Sequence, residues 1–259
     1  MEDLALDECD FQSTAFGLNA TVKDYFHPDT LSEILKLKKY FRTQRELDQN
    51  DAFIQACALH ILHGNRPYAL SRNSHPITPF APTGPYVYKS VRDSLTAKVV
   101  RALEKELSPN FRPGTSYKSD FRNAASLISE PVDIIITSPP FIGLRFDRPN
   151  WLRLWFCGWS EHDFKNVSSA HLERQQSKDL SVYRQFFEVC SSVSKTKAPL
   201  LVHVGGSKFY NMIDALKEYS KGTYTFLGNI GEDVSKVANH GMKDKGLTTK
   251  NHILVFQKT

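Results

Sequence analysis

The chain of 259 residues contains no Gly-x-Gly, and its one pair of adjacent glycines is Gly205-Gly206. It therefore lacks the kind of loop in which spaced glycines let a backbone close on a bound nucleotide. No apolar run reaches about 18 residues, so no membrane span is expected. The four cysteines, Cys9, Cys57, Cys157 and Cys190, form no paired motif. Met1-Glu2-Asp3-Leu4 has neither the basic start nor the apolar stretch of a secretory leader, so a reducing cytoplasm is the expected setting. Cys57, His60 and His63 are spaced by three, but on a helix His63 stands about 240° around from Cys57, so the three cannot share an ion and no metal is expected. No internal repeat is evident. Charge is nearly balanced: 33 Lys and Arg against 28 Asp and Glu leave +5, which permits nucleic-acid binding without demanding it.

What the chain does have is Ser138-Pro139-Pro140-Phe141 at the end of the run Val132-Asp133-Ile134-Ile135-Ile136-Thr137. The isoleucine run is too short for an independent helix and reads as a buried strand. The two prolines forbid its continuation as helix or as paired strand, so the chain must turn there. In open α/β sheets the carboxyl ends of strands are where ligands bind. Downstream, Tyr183, Phe186, Phe187, Cys190 and Val193 have helical spacing. Leu200 to Val204 reads as another buried strand, Phe209 to Tyr219 as a helix, and Phe226 to Ile230 with His252 to Phe256 as two final strands. Asn150 to Trp159 is rich in tryptophan and reads as a helix packed on the sheet.

The Ser-Pro-Pro-aromatic loop resembles the active-site motif of the amino-methyltransferases, S-adenosylmethionine-dependent enzymes that methylate exocyclic amino groups of DNA bases. Serine in first position resembles the cytosine-N4 branch. The resemblance implies a Rossmann-like α/β methyltransferase fold whose last two strands form an antiparallel edge hairpin. It also implies that the Ser138 hydroxyl and the Pro139 carbonyl accept hydrogen bonds from the target amino group, with Pro140 fixing the turn and Phe141 stacking on a base flipped out of the duplex. Such stacking is worth roughly 1–3 kcal/mol. Catalysis would come mostly from alignment for in-line displacement, without a covalent enzyme intermediate. None of the cysteines follows a proline, which disfavours carbon-5 methylation through a thiolate. Asp120, in Tyr117 to Arg122, stands where the family's third motif approaches the cofactor adenine; it reads equally as a helix N-cap. Thr137 and Ser138 are the other cofactor-side candidates.

The family's glycine loop after the first strand, and the acidic residue ending the second, have no counterpart here. The fold is therefore expected to be incomplete in this chain, which would be the carboxyl-terminal part of a split enzyme, with a second polypeptide bringing the first strands and the glycine loop. A sheet so truncated exposes hydrogen-bonding edges and apolar surface. The expected organisation is a helical segment over 1–110, with a proline-rich loop at 65–88, followed by the catalytic part over 111–259. In the helical segment Thr30 and Glu33 read as a capping box, Lys36, Lys38 and Lys39 as a solvated face, Asp51 to His63 as a buried helix, and Val91 to Leu107 as a helix stopped by Pro109. Arg66, Arg72 and His75 in the loop, and Asn239, His240 and Lys243 between the last strands, are the candidate DNA contacts; a connector and a solvated hairpin loop are the alternatives. Two other functions stay open: a non-catalytic recognition or regulatory subunit, and an amino-methyltransferase acting on adenine, on RNA or on a protein side chain.

Overall fold

The computed structural model describes residues 8–44, 46–64, 68–74, 79–143, 145–167, 169, 171–207, 212–233 and 248–259. In chain order these form helices α1 (Glu8–Gln12), α2 (Pro28–Thr43), α3 (Gln49–Leu62), α4 (Val91–Leu103) and α5 (Ala124–Leu127), and then strand β1 (Ile135–Thr137). Helices α6 (Trp151–Phe156), α7 (Glu161–Lys165), α8 (Leu172–Gln176) and α9 (Val182–Ser192) follow. Strand β2 (Pro199–Ser207), helix α10 (Met212–Ser220) and strands β3 (Tyr224–Asp233) and β4 (Thr248–Lys258) complete a mixed α/β chain. Contacts divide it into two units, Met1–Arg112 with Phe146–Val167, and Pro113–Arg145 with Ser168–Thr259. No described helix is long and apolar enough to cross a membrane.

The first unit is helical. Its core is built by Ile34, Leu35 and Phe41 of α2, Ile61 and Leu62 of α3, and Trp151, Leu152, Trp155 and Phe156 of α6. The tryptophan-rich helix thus packs into this helical core and not onto the sheet. Its aromatic rings find partners there: Trp151 meets Tyr25 edge-on at 5.3 Å and Phe156 meets Phe41 at 6.3 Å. Arg153 donates to the carbonyls of Leu59 and His63 at the carboxyl end of α3, where a cation also suits the helix dipole. Lys38 is buried rather than solvated: its ammonium lies 5.0 Å from the Trp155 ring centroid, and burial lowers its pKa. Cys57, His60 and His63 go separate ways, Cys57 into the core, His60 stacked on Tyr68, and His63 hydrogen-bonded to Ser71.

Two helix boundaries differ from the sequence reading for local reasons. Pro28, which needs no N–H partner, starts α2 two residues before Thr30, and the His27 ring accepts from the Asp29 amide as the cap. Thr30 and Glu33 are then inside the helix and turn to the chain entering α4. The Thr30 hydroxyl pairs with the Lys89 backbone, and the Glu33 carboxylate accepts from the Tyr88 hydroxyl and the Val91 amide. Helix α4 ends at Leu103 instead of Leu107, because Val100, Leu103 and Leu107 are exposed and no packing stabilises a further turn.

The second unit carries a four-stranded sheet in the order β1-β2-β4-β3. Strand β1 runs parallel to β2, with Ile135, Ile136 and Thr137 opposite Leu200, Leu201 and Val202. Strand β4 is antiparallel to both β2 and β3, the expected edge hairpin. Successive strand side chains alternate faces. Leu200, Val202, Val204, Leu254 and Phe256 make one face and are buried under Tyr183, Phe186 and Phe187 of α9 and Leu216 of α10. The expected period of α9 is seen in full. Its carboxyl end is capped from afar, Lys258 donating to the carbonyls of Ser191 in the last turn and of Ser194 just beyond the helix.

The isoleucine run, read from the sequence as a buried strand, is largely uncovered. Ile134 is 45% exposed and Ile136 is 73% exposed, because among the described residues β1 pairs with β2 alone and its outward face is not covered. Ile230 and Ile253, cross-strand partners on the same open face, are exposed as well.

The buried face should dominate stability. Phe187 is enclosed by the rings of Phe186, Tyr224 and Phe256 at 5.2–5.8 Å. Phe187→Ala is expected to cost about 3–5 kcal/mol in chemical denaturation of the full chain, whereas Ile136→Thr on the open face should stay within about 0.5 kcal/mol.

Candidate active site

The Ser138 to Phe141 loop leaves the carboxyl end of β1 and is held by three residues from other elements. Gln176, at the end of α8 and only 3% exposed, donates its amide to the carbonyls of Pro140 at 3.0 Å and Phe141 at 3.4 Å. The other end of the same amide accepts from the Tyr183 hydroxyl at 2.6 Å. Tyr183 is fully buried, and burial pushes its pKa up, so the phenol stays a donor. The third residue, His203 in β2, lies with Nδ1 3.2 Å from the Ser138 hydroxyl and its ring 5.7 Å from that of Phe141.

This leaves the first two residues of the loop. Ser138 is exposed, while Pro139 is buried. The carbonyls of Pro140 and Phe141 are taken by Gln176, whereas that of Pro139 receives no hydrogen bond from the described residues. The loop therefore carries an exposed hydroxyl and, in the buried residue after it, a carbonyl untaken by the described residues, beside an aromatic ring. That arrangement suits an amino group, which presents two N–H donors.

Of the cofactor-side candidates, Asp120 is a cap, but of a short 3-10 turn at Phe121–Asn123, accepting from the Arg122 amide at 2.9 Å, and not of the α-helix that follows, whose N-cap position is Asn123. Its carboxylate also pairs with the Arg122 guanidinium at 2.8 Å, and Arg122 reaches on to Gln175, the residue before the loop-holding Gln176. Thr137 ends β1 and lines a groove of about 370 Å³ along the strand's free edge, with Phe121, Ala124, Ile128, Phe186 and Cys190. The groove is apolar. Burial pushes the Cys190 thiol up to about 12, so it is neutral at physiological pH and supplies no thiolate nucleophile.

Among the candidate DNA contacts, Arg72 is described, and its guanidinium is committed inside the first unit. It donates to the carbonyls of Asp24 and Gly84 and stacks 4.0 Å from the Tyr86 ring centroid, pinning the proline-rich loop. Arg66, His75, Asn239, His240 and Lys243 lie outside the described residues.

The sequence does not mark Gln176, Tyr183 or His203 as site residues. Tyr183 is legible there only as one member of an apolar helix face. Nothing local distinguishes Gln176, whose role depends on contacts 35 and 36 residues away. His203 carries a signal: it is the one ionisable residue in Leu200-Leu201-Val202-His203-Val204.

No family model and no curated protein sequence matches the chain. Among solved structures it is similar to a crystal structure of a candidate DNA modification methylase from Thermus thermophilus, with 16% identity, a TM-score of 0.28, and coverage of 54% of this chain and 50% of that one. The chain thus spans about half the length of that protein.

The Gln176 clamp is open to test. Gln176→Leu leaves two carbonyls and the Tyr183 hydroxyl without their partner, a loss of about 1–3 kcal/mol in unfolding free energy. Adding Tyr183→Phe should return part of that loss by removing one unpaired group. Hydrogen exchange at the amides of Phe141 to Gly143 should quicken in the single variant.

Proposed function

We propose that this chain is the catalytic subunit of a split DNA methyltransferase that transfers a methyl group from S-adenosylmethionine to the N4 amino group of cytosine, its sheet completed by a second polypeptide. The observation that carries the reading is the Ser138-Pro139-Pro140-Phe141 loop at the carboxyl end of a parallel strand. It is locked by a buried amide at two carbonyls, with the Ser138 hydroxyl and the Pro139 carbonyl left to receive a substrate. A linker would have no need of a buried clamp.

The mechanism is built from those groups. An amino nitrogen on a cytosine ring is a weak nucleophile because its lone pair is delocalised into the ring. Ser138 and Pro139, each accepting one N–H, hold the nitrogen in the geometry that aims the lone pair away from the ring. Phe141 offers a face to the flipped base. The donor would supply an electrophilic methyl on a positively charged sulfur. The described residues fit one end of such a donor: the apolar groove beside Thr137, next to Asp120, suits a purine face and offers nothing to its charged amino-acid end. That end falls to the second polypeptide on this reading. DNA contacts are proposed for Arg66, His75, Asn239, His240 and Lys243, with Arg72 acting there by holding its loop.

Two features support completion by another chain. Among the described residues strand β1 has a hydrogen-bonded neighbour on one side only, and parallel strands are ordinarily paired and covered on both faces. Its outward isoleucines are exposed beside an apolar groove, the edge to which a missing first strand would add.

Methyl transfer to mixed-sequence DNA, with product nucleosides identified by mass spectrometry, tests the proposal on this chain alone and with the product of a neighbouring gene. Activity is expected only in the mixture, as N4-methylcytosine. Activity from this chain alone would refute the split, and N6-methyladenine would move the acceptor. Ser138→Ala should lower turnover on the order of 10²-fold, and Phe141→Ala roughly 5- to 150-fold, the kinetic equivalent of a lost stacking contact. Normal turnover in both would reassign the chain as a non-catalytic subunit.

The free edge gives a separate expectation. Alone, the chain should self-associate in sedimentation. Ile136→Lys should leave its unfolding free energy within about 0.5 kcal/mol while abolishing both self-association and activity with the partner. A monomeric chain that binds S-adenosylmethionine by itself would remove the argument for a partner.

A further inference from the structure

The pairing of Ser138 with His203 deepens the methyl-transfer reading, and the role it gives His203 rests on that reading. A serine hydroxyl has one O–H to donate and two lone pairs to accept with. To receive an amino N–H, Ser138 must send its own proton elsewhere, or the two donors oppose each other. Nδ1 of His203 lies 3.2 Å from that hydroxyl, in line to take it. Methylation of an amino group also releases a proton, and the Pro139 carbonyl and the Phe141 ring cannot carry it away.

We propose that His203, as the neutral tautomer with hydrogen on Nε2, accepts the Ser138 proton and is the sink for the proton released on methyl transfer. The amino nitrogen forms its bond to the methyl carbon as the carbon–sulfur bond breaks, the bonding pair staying on sulfur. The surplus N–H proton passes to Ser138 Oγ while the hydroxyl proton of Ser138 passes to Nδ1. One positive charge enters, on sulfur, and one leaves, on the imidazole. His203 acts through Ser138 and is a positioning residue in this scheme.

The setting of the ring agrees with that task. Val202 and Val204 point into the buried face, so His203 stands on the other face. Among the described residues the groups set about it there are uncharged: Ser138 and Phe141 from the loop, Leu201 on its own strand, and Ile253 and Val255 from β4. His252, the nearest ionisable residue in β4, is paired with Val204 and belongs to the opposite face. On the loop's far side, Gln176 is neutral and already committed to the carbonyls. No fixed charge among these groups competes for the proton, and the Phe141 ring lies tilted beside the imidazole at 5.7 Å.

The sign of the pH dependence comes from the starting state. A neutral imidazole is required at the start of the cycle, so turnover falls as the solution is acidified. His203→Asn places an amide near the position of Nδ1, which can keep the serine hydrogen bond but cannot take the proton. It should lower kcat on the order of 10²-fold, leave KM for DNA unchanged, and lose the acid limb of the kcat profile. His203→Ala should be lower still.

A second readout needs neither DNA nor donor. Nitrogen-15 histidine spectra of the sedimented full chain, by magic-angle spinning, should give an unprotonated Nδ1 and a protonated Nε2 above neutral pH, with the Nδ1 resonance shifting in Ser138→Ala. A hydrogen on Nδ1 in the wild type overturns the proposal, as does an acid limb that persists in His203→Asn. If the wild-type mixture transfers no methyl group, the functional reading fails and this inference falls with it. If the wild type is active and His203→Asn matches it, this inference alone fails.

Discussion

A β-strand presents alternate residues to opposite faces, so a sheet that buries one face has settled where every other side chain must go. In the second unit Leu200, Val202, Val204, Leu254 and Phe256 are committed to α9 and α10, and the remaining positions are forced outward. Ile134, Ile136, Ile230 and Ile253 are exposed because of that alternation, and not because the residues suit water. The same alternation sets His203 on the open face, where it can meet Ser138 at the end of the neighbouring strand. Core, uncovered surface and candidate site therefore have one cause: four strands covered on one side.

The elements that could be read from the chain were those whose signal is local. The α9 period and the strand that stops at two prolines need only a window of ten or so residues, and each is present. The antiparallel pairing of the last two strands, expected from the family resemblance, is also present. Elements governed by distant partners could not be read in that way. Trp151 and Trp155 carry a generic instruction to be buried; which core receives them depends on Tyr25 and Ser13, more than a hundred residues earlier. Lys38 looks solvated in sequence because its neighbours Lys36 and Lys39 are charged, yet it sits over an indole that no helical pattern reveals. Thr30 and Glu33 have the spacing of a capping box, and Pro28 takes the helix start from them, freeing both for contacts nearly sixty residues on.

The candidate site divides along the same line. Ser138, Pro139, Pro140 and Phe141 are contiguous and were legible as a unit, since proline chemistry alone dictates a turn at a strand end. The residues that hold the unit come from α8, α9 and β2, and only His203, an imidazole in an apolar strand, stands out in the sequence. Gln176 is the clearest case of an illegible residue. A glutamine in a short helix is ordinarily surface, and its burial makes sense only with the Tyr183 hydroxyl on one side and two proline-loop carbonyls on the other. Each of the three partners would be costly to bury without the amide, so the four groups stand or fall together.

That mutual dependence bears on how a divided enzyme could work, on the methyl-transfer reading. The loop is already rigid within this chain: its two later carbonyls are fixed and Ser138 has its histidine before any partner arrives. Preorganised acceptors need no rearrangement during reaction, which is where most of such an enzyme's rate advantage arises. A second polypeptide then has to supply position rather than chemistry. It would bring the donor's charged end to an edge whose apolar groove can receive the other end, and its strand would cover the isoleucines of β1. Burying those side chains would drive the association, while the backbone pairing of parallel strands would set its register. Register is what places a methyl group in line with an amino nitrogen, so in such a design the surface that stabilises the complex and the geometry that permits transfer are the same few residues at the end of β1.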